Sequence, residues 1–317
     1  MNKINIAVIA CGSWGRQHIR VLRQSKRIRQ LKICDLNIKT LHETAELYNI
    51  PHIPESLKLI NDPEIDAVTI CTPTKTHYNL AQQALEAGKH VLVEKPMTNT
   101  IQEAESLIRT AQKNNLQLAV GFVERFNPAV IKALDMIKNS EIGQIILAQT
   151  RRVSQWPRRV GDVGVIKDLA IHDVDIINQV FPSEPISVFA NAGSIQHCFE
   201  DYANIMICYL NNRNAFVETN WLTPRKVRKL IITGTEGLIN VEYITQKLTV
   251  ENSKGMYQPF IRQEEPLKLE LESFIECILE DRPPLVSGED GLKALRICEE
   301  AIESAHRHQL VTNQILE

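Results

Sequence analysis

One stretch of the sequence carries acid, base and amide side chains at helical spacing. Asp168, His172, Asp175 and Gln179 follow one another at steps of four, three and four residues, which places them on one face of a helix predicted over residues 167–181. A neutral imidazole can accept a hydroxyl proton near pH 7, so His172 is a candidate general base. Asp168 could orient this imidazole or bind a neighbouring hydroxyl, and Asp175 fits a supporting or structural role. The simplest alternative is a solvated polar face.

A second candidate is Lys95, which directly follows an apolar run over residues 90–94. A lysine at the carboxyl end of a buried parallel strand lies in the crevice where α/β sheets bind ligands. Its ammonium group can stabilise an alkoxide that forms on a substrate. A lone lysine is more often a surface cation whose stem packs on apolar surface, so Lys95 needs support from its context.

The elements that would position these side chains can be read from the apolar pattern. Residues 3–120 alternate short apolar runs with amphipathic stretches, which is typical of strand–helix units on a parallel sheet. Strands are predicted over residues 5–10, 31–35, 67–71, 90–94 and 117–122, and helices over residues 14–24, 38–48, 76–87 and 100–114. Residues 1–121 are therefore predicted to form an α/β Rossmann domain.

The pattern changes after residue 122. Helices are predicted over residues 128–138 and 167–181 and a strand over residues 144–152, and strand-like runs then follow at 186–192, 203–210, 214–221, 229–233 and 247–251. Consecutive strands joined by short turns favour an antiparallel sheet. Residues 122–317 are predicted to form an α+β domain with a mostly antiparallel sheet. Two closing helices, over residues 267–279 and 291–306, can pack back on the first domain.

The first strand leads into a short segment that fits a dinucleotide-binding fingerprint, Ala10-Cys11-Gly12-Ser13-Trp14-Gly15. Gly12 would let the backbone approach a diphosphate, and Gly15 would allow close packing of helix on strand. The helix N-terminus at Ser13 and Trp14 would present free N–H groups to the phosphates. Alanine replaces the first glycine of the fingerprint, and Ala10 is expected to fit a turn with a negative φ. A structural turn would explain two glycines nearly as well, but the position at the start of a strand–helix–strand unit favours a cofactor site.

Asp35 closes the second predicted strand, about 20 residues after the fingerprint. A carboxylate at this place accepts hydrogen bonds from both ribose hydroxyls and repels a 2′-phosphate. No arginine follows it, because the next residues are Leu36 and Asn37. The expected cofactor is therefore NAD rather than NADP.

Two further segments carry a family resemblance. They are Cys71-Thr72-Pro73-Thr74-Lys75-Thr76-His77 and, after a helix, Gly88-Lys89-His90-Val91-Leu92-Val93-Glu94-Lys95-Pro96. The sequence resembles the glucose–fructose oxidoreductase/inositol dehydrogenase (Gfo/Idh/MocA) family along essentially the whole chain, and Glu-Lys-Pro is the most specific mark of the resemblance. A member of this family is an oxidoreductase that uses a nicotinamide cofactor.

The resemblance implies roles for residues of the first domain. His77 and the turn formed by Thr72, Pro73 and Thr74 would border the cofactor. Glu94 would lie near the nicotinamide ribose, and Lys95 would reach the oxygen on the reacting carbon. The bond between this lysine and Pro96 is often cis in the family.

The resemblance implies that the second domain, residues 122–317, binds the substrate and serves oligomerisation through an open-faced sheet. The family pattern D-x-x-x-H-x-x-D matches Asp168, His172 and Asp175, and it implies that Asp168 and His172 lie beside the substrate together with Lys95. His172 would remove the proton of a secondary alcohol whose carbon delivers a hydride to the cofactor. The division of labour between Lys95 and His172 stays open.

Cations and aromatic rings in the second half indicate the kind of substrate. Such side chains can bind a diphosphate and stack on a ring, although each arginine could equally be an ordinary surface cation. The candidate substrate-binding residues are Arg125, Asn127, Arg152, Trp156, Arg158, Arg159, Trp221 and Lys226. The run at residues 161–165 is similar to family members that act on nucleotide sugars. The resemblance therefore implies oxidation at C3 of a UDP-linked N-acetylamino sugar, with a 3-keto sugar as the product.

Other interpretations of the same residues stay open. A free inositol or hexose could replace the nucleotide sugar as the substrate. A protein of another class, which senses NAD or a sugar without catalysis, would not need the intact set of Lys95, Asp168 and His172. A glycosidase that oxidises its substrate transiently would show bond cleavage without net absorbance change.

The amino-acid composition limits the kinds of molecule that the protein is expected to bind. The 36 basic and 38 acidic residues give a formal net charge of −2, so bulk attraction to nucleic acid or to an anionic membrane is not expected. Seven scattered cysteines without a CxxC pair favour reduced thiols in a cytoplasmic protein and make a zinc site improbable. No metal is expected, and no leader or membrane span is predicted. By the family resemblance, a homodimer or homotetramer through the open sheet is expected.

Overall fold

The computed structural model describes residues 3–157 and 162–312, which divide into two compact units. The first unit contains the residues up to Val123 together with residues 265–292, and the second contains residues 124–264 and the chain from Lys293 onward. Residues 265–292 follow the second sheet in sequence but belong to the first unit. Among the described residues, none of the helices combines the length and the apolar character that a membrane span requires.

The described residues form nine α-helices and fourteen strands, numbered here in chain order. The helices are α1 (Ser13–Leu22), α2 (Ile38–Tyr48), α3 (Ser56–Ile60), α4 (His77–Glu86), α5 (Ile101–Lys113), α6 (Pro128–Lys138), α7 (Ile171–Val180), α8 (Pro266–Leu279) and α9 (Gly288–Arg307). The strands are β1 (Ile4–Ile9), β2 (Ile28–Cys34), β3 (Ala67–Ile70), β4 (His90–Glu94), β5 (Leu118–Gly121), β6 (Ile145–Gln155), β7 (Ser187–Gly193), β8 (Tyr202–Tyr209), β9 (Arg213–Asn220), β10 (Leu222–Gly234), β11 (Gly237–Glu242), β12 (Lys247–Asn252), β13 (Gly255–Tyr257) and β14 (Val311–Thr312).

The first unit is built on a five-stranded parallel sheet in the order β2-β1-β3-β4-β5. Its strands are almost wholly buried, as a parallel sheet covered by helices requires. The helix α8 adds Leu271, Phe274 and Ile275 to the same hydrophobic core as β1 and α1. The chain leaves β1 toward β2 on one side and then returns to β3 on the other, so the carboxyl ends of β1 and β3 flank the crevice where such sheets bind ligands.

The second unit is built on a nine-stranded sheet in the order β13-β12-β11-β10-β6-β9-β8-β7-β14. All neighbouring strands are antiparallel except β6 and β9, which run parallel. Exposed and buried side chains alternate along β8, as expected for a sheet that is covered on one face only. Phe189, Met206 and Phe216 lie side by side across β7, β8 and β9 and are exposed. The predicted fold class, a Rossmann unit followed by an α+β unit with an open, mostly antiparallel sheet, is confirmed.

Several element boundaries differ from the sequence-based expectations. The strand expected over residues 229–233 is part of β10, which begins at Leu222 and is irregular between Leu222 and Val227 where it pairs with β6. The part of β10 that was not predicted, residues 222–228, contains a proline and three cations, which are not typical of a strand. The helix α3 and the strands β11, β13 and β14 were not predicted, because three of these four elements are five residues or shorter.

Candidate active site

A backbone cradle for a diphosphate follows β1. Gly12 is the N-cap of α1, and a Cβ at Gly12 would meet open space. The backbone above this helix end is therefore accessible to a phosphate, and the free N–H groups of the first helical turn point in the same direction. Ser13 and Trp14 form the first turn of α1 and are exposed, as a phosphate site at this helix end requires.

Gly15 has a different role in the same turn. A Cβ at Gly15 would collide with the carbonyl oxygen of Ala10 and would come within 3.6 Å of the Cβ of Cys71. Gly15 therefore allows α1 to pack closely on the ends of β1 and β3. The two glycines therefore have different functions. Gly15 allows the helix to pack closely on the sheet, and Gly12 leaves space for a ligand.

This difference predicts opposite phenotypes for two matched variants. Gly12→Ala should leave stability nearly unchanged and weaken NAD binding by about tenfold or more, since a methyl group would fill the space above the cradle. Gly15→Ala should cost about 1–3 kcal/mol of stability, since the added methyl group meets backbone. Urea unfolding and fluorescence titration with NAD would check both. Equal loss of stability in the two variants would contradict the assignment.

Ala10 corrects one expectation of the sequence. Its φ is 84°, in the left-handed region, and not negative as expected. The turn keeps the backbone conformation that a glycine usually adopts at this place. In this conformation the methyl group of alanine makes an unfavourable steric contact with the carbonyl oxygen that follows.

Ala10→Gly is therefore expected to stabilise the protein by about 1 kcal/mol, because glycine adopts a positive φ without this contact. The control is Ala45→Gly within α2, where the same change should destabilise by about 1 kcal/mol. Thermal unfolding of both variants would check the sign. A loss of stability in Ala10→Gly would contradict the strain at this residue.

The Asp35 carboxylate lies just after β2 and is held by backbone. It accepts hydrogen bonds from the N–H of Cys11 at 2.6 Å and of Asn37 at 2.7 Å, one on each oxygen. Each oxygen of a carboxylate can accept a further bond, so the ribose hydroxyls of a nucleotide can still be bound. The open cradle at Gly12 and the fixed carboxylate at Asp35 together fit NAD.

The turn after β3 is stabilised by a hydrogen bond between two of its own side chains. The hydroxyl groups of Thr72 and Thr76 lie 2.7 Å apart, and a short 3₁₀ helix runs from Thr74 to Thr76, with Pro73 exposed at its start. His77 follows this turn and is expected to border the cofactor. It is 1% exposed, and its two ring nitrogens lie 2.8 Å from the carbonyl oxygens of Thr72 and Pro96. His77 is a positioning residue that ties this turn to the Glu-Lys-Pro segment.

Glu94 ends β4, and Lys95 directly follows it. The Lys95–Pro96 peptide bond is cis, as the family resemblance implied, and Lys95 is half-buried. The Glu94 carboxylate, which is expected near the nicotinamide ribose, is buried and bound to Nε2 of His18 at 3.0 Å. Burial alone raises the pKa of Glu94, but hydrogen bonds from His18 and Trp14 outweigh it and leave this pKa below its usual value. Glu94 is thus held ionised inside the first unit.

The polar seam of the second unit is buried. Asp168 and His172 are almost inaccessible to solvent, as are Asp173 and Asp175. The alternative of a solvated helix face is therefore wrong. The regular helix predicted over residues 167–181 is also corrected, because a π-helical segment, Ile166–Ala170, precedes α7. Such segments are frequent at functional sites, and here it carries Asp168.

Arg152 is one of the residues expected to bind substrate, and its guanidinium group is paired with carboxylates of the same unit. Its guanidinium group is 1% exposed and contacts both oxygens of Asp173, at 2.9 and 3.0 Å, and Glu124 at 3.0 Å. Burial lowers the pKa of Arg152, but the two carboxylates outweigh this and raise the pKa above its ordinary value. Arg228 also pairs with Glu124, at 3.0 Å. This buried ion cluster is part of the framework of the second unit.

Arg125 and Asn127, which are also expected to bind substrate, likewise have partners within the second unit. Arg125 is buried and pairs with the Asp175 carboxylate at 2.8 Å. The Asn127 side chain accepts a hydrogen bond from the N–H of Ala129 and so caps α6, and its amide group donates to the carbonyl oxygen of Tyr243. Both side chains are used in the framework that surrounds the polar seam.

The remaining candidates lie at the end of β6 and the start of β10. Trp156 is half-buried, stacks on His197 with ring centroids 3.5 Å apart, and meets the buried Trp221 edge to face at 4.5 Å. Lys226 is exposed. Arg158 and Arg159 lie outside the described residues. Trp156 and Lys226 of the predicted substrate-binding set are therefore accessible to solvent. Trp221 is buried and packs against the ring of Trp156.

Sequence reasoning missed several buried ionisable residues. Asp173 and Glu124, which hold Arg152, were not singled out, and neither were His18 and Glu270 of the first unit. An acidic residue within a mostly apolar helix was the one signal in the sequence for such buried charges. In α8, for example, Glu270 lies beside Leu271 on the buried side of the helix.

Together the fold and the cofactor cradle define an NAD-dependent oxidoreductase. The family model described as "Oxidoreductase family, NAD-binding Rossmann fold" matches residues 4–122, and the model described as "GFO/IDH/MocA C-terminal domain" matches residues 130–240. The chain belongs to the GFO/IDH/MocA oxidoreductase family. It is an NAD-dependent sugar dehydrogenase that acts on a CH–OH group.

Individual relatives span most of the chain. UDP-N-acetylglucosamine 3-dehydrogenase of Acidithiobacillus ferrooxidans is 28% identical, over 93% of this chain and 95% of that protein. The solved structure of that enzyme matches with a TM-score of 0.88 at 26% identity and covers 97% of this chain and 99% of that chain. scyllo-Inositol 2-dehydrogenase (NAD(+)) of Bacillus subtilis is 31% identical, over 76% of this chain and 75% of that protein.

Proposed function

We propose that this protein oxidises C3 of a UDP-linked N-acetylamino sugar, with NAD as the oxidant and a 3-keto nucleotide sugar as the product. The observation that carries the proposal is the similarity to UDP-N-acetylglucosamine 3-dehydrogenase over nearly the full length of both chains. The accessible ring of Trp156 and the exposed cation at Lys226 add support, because stacking and positive charge suit a nucleoside diphosphate.

The proposed mechanism uses three side chains of this chain, Lys95, Asp168 and His172. Bound NAD supplies the hydride acceptor. His172 takes the proton of the substrate hydroxyl, for which a neutral imidazole is suited near pH 7. Asp168 orients that imidazole or binds a neighbouring hydroxyl. Lys95 stabilises the charge that develops on the oxygen, and its attachment to the buried end of β4 limits its freedom.

The test is a calorimetric titration of NAD-loaded protein with UDP-N-acetylglucosamine, UDP, N-acetylglucosamine and myo-inositol, followed by absorbance at 340 nm. The expected result is tight binding and NADH formation with the nucleotide sugar alone. Arg158→Ala and Arg159→Ala should weaken this binding, and Arg109→Ala, at an exposed arginine of α5, is the matched control. Binding and turnover of the free sugar without the nucleotide sugar would overturn the substrate assignment.

A free cyclitol is the second candidate, supported by the 31% identity to scyllo-inositol 2-dehydrogenase. Turnover of myo-inositol in the same assay would select it. NAD binding without NADH formation from either substrate class would point to a sensor instead.

We also propose that two copies associate through the open face of the second sheet. Phe189, Met206 and Phe216 expose adjacent apolar surface on three neighbouring strands. Phe216→Glu is expected to shift the protein to a smaller species in sedimentation experiments, because it buries a charge in that face. Phe260→Glu changes a more exposed phenylalanine and is the control. An unchanged oligomer in Phe216→Glu would contradict this interface.

A further inference from the structure

Three ionisable side chains meet in the interior of the first unit. His18 comes from α1, Glu94 from the end of β4 and Glu270 from α8. One potential ligand atom from each lies within 4.8 Å of the other two, and all three residues are buried. We propose that His18, Glu94 and Glu270 form a binding site for one divalent first-row metal ion, of which Zn²⁺ is the best fit.

Glu270 carries the strongest indication of a missing ligand. It is 2% exposed, and neither of its carboxylate oxygens has a hydrogen-bond partner among the described residues. A buried carboxylate without partners is costly, so it must be neutralised by a proton or by a cation. Glu94 lies in the same cluster but differs, since His18 and Trp14 donate to it. The cluster thus combines a carboxylate that accepts hydrogen bonds with a buried carboxylate that has no hydrogen-bond partner among the described residues.

The donor set suits a borderline divalent ion. One imidazole and two carboxylates are ligands that Zn²⁺ accepts, at roughly 2.0–2.2 Å, with a water in the fourth position. Two ionised carboxylates together neutralise the double positive charge of the ion. A bound ion would therefore remove the free-energy cost of burying a carboxylate charge without a partner. Nε2 of His18 lies 3.0 Å from an oxygen of Glu94, and Zn²⁺ would replace the proton that His18 now donates there, releasing it to solvent. Glu270 would supply the third ligand from within 4.8 Å.

The position of the site gives it a role in the first unit. The helix α1 begins at the diphosphate cradle, β4 ends at Glu94 directly before Lys95, and α8 packs on α1. A metal ion bound by all three elements would crosslink them. Metal binding should therefore raise the midpoint of thermal unfolding, which is measurable without catalysis.

The experiment uses full-length protein that has been treated with a chelator and then dialysed. Zn²⁺ is added and followed by calorimetry, by metal analysis and by thermal unfolding. Glu270→Gln keeps the shape of the side chain but removes a charged ligand, and Glu272→Gln makes the same change two residues away on α8, outside the cluster. The wild type and Glu272→Gln should bind one Zn²⁺ per chain and unfold at a higher temperature with the metal.

Glu270→Gln should bind Zn²⁺ at least about 100-fold more weakly, since loss of an outer-shell partner alone weakens metal sites roughly 10- to 100-fold. Its unfolding midpoint should not respond to the metal. Co²⁺ should give visible absorption bands of a four-coordinate site in the wild type and not in Glu270→Gln. Absence of stoichiometric binding in the wild type would overturn the proposal and leave a proton as the neutralising group. Equal affinity in Glu270→Gln would assign the metal to other residues and would overturn it as well.

Discussion

Replacing His172 by asparagine is expected to lower kcat by roughly 10²- to 10⁴-fold, the usual contribution of a general base. The ring of His172 lies in the buried seam at the start of α7, directly after the π-helical segment that carries Asp168. An amide group of similar reach cannot accept the hydroxyl proton. NADH formation at 340 nm, with a substrate from the titration described above, measures the effect.

The control for this variant is His306→Asn, which changes an exposed histidine of the same unit. NAD affinity should be unchanged in both variants. The unfolding midpoint of His172→Asn should be measured alongside, because a buried ring is lost. A His172→Asn protein that folds and keeps more than about a tenth of the wild-type kcat would show that another group takes the proton, since a general base contributes at least about 10²-fold.

Replacing Arg152 by methionine is expected to cost about 3–5 kcal/mol of stability, because Asp173 would lose its buried guanidinium partner and Glu124 one of its two. Urea unfolding measures the loss. Arg151→Met changes the neighbouring residue on β6, whose partly exposed side chain pairs with Glu218, and should cost less than about 1 kcal/mol.

The comparison also separates the two interpretations of Arg152. If it binds the diphosphate of a substrate, Arg152→Met would be about as stable as Arg151→Met but would bind the nucleotide sugar more weakly. A large loss of stability assigns Arg152 to the framework of the second unit.

The cofactor side of the molecule was predictable because its determinants are local. Gly12 and Gly15 lie in one turn, and Asp35 follows at a distance that the strand–helix–strand geometry fixes. The backbone of such a turn must satisfy the same steric limits in any sequence, which is why even Ala10 adopts a positive φ. The alternation of strands and helices likewise predicted the first sheet, apart from short elements such as α3.

The substrate side was harder to predict because its charges are paired over long distances in sequence. Arg152 meets Asp173, 21 residues away, and Glu124, 28 residues away. A sequence shows that an arginine is present but not whether a carboxylate of the same chain or a ligand will contact it. The π-helical segment has no local signature either, and the unpartnered carboxylate of Glu270 becomes visible only when α8 is packed on the first unit.

The borders of the nine-stranded sheet have a consequence for misassembly. Its outermost strands in the described part of the chain, β13 and β14, contain three and two residues. A strand this short presents few unpaired N–H and C=O groups, so it is a poor template for the addition of strands from other chains. The addition of strands along the hydrogen-bonding direction, which is the route to fibrils, is therefore discouraged at both borders. If copies associate as proposed, the exposed phenylalanines of β7 and β9 lead to face-to-face contacts rather than to growth of this kind.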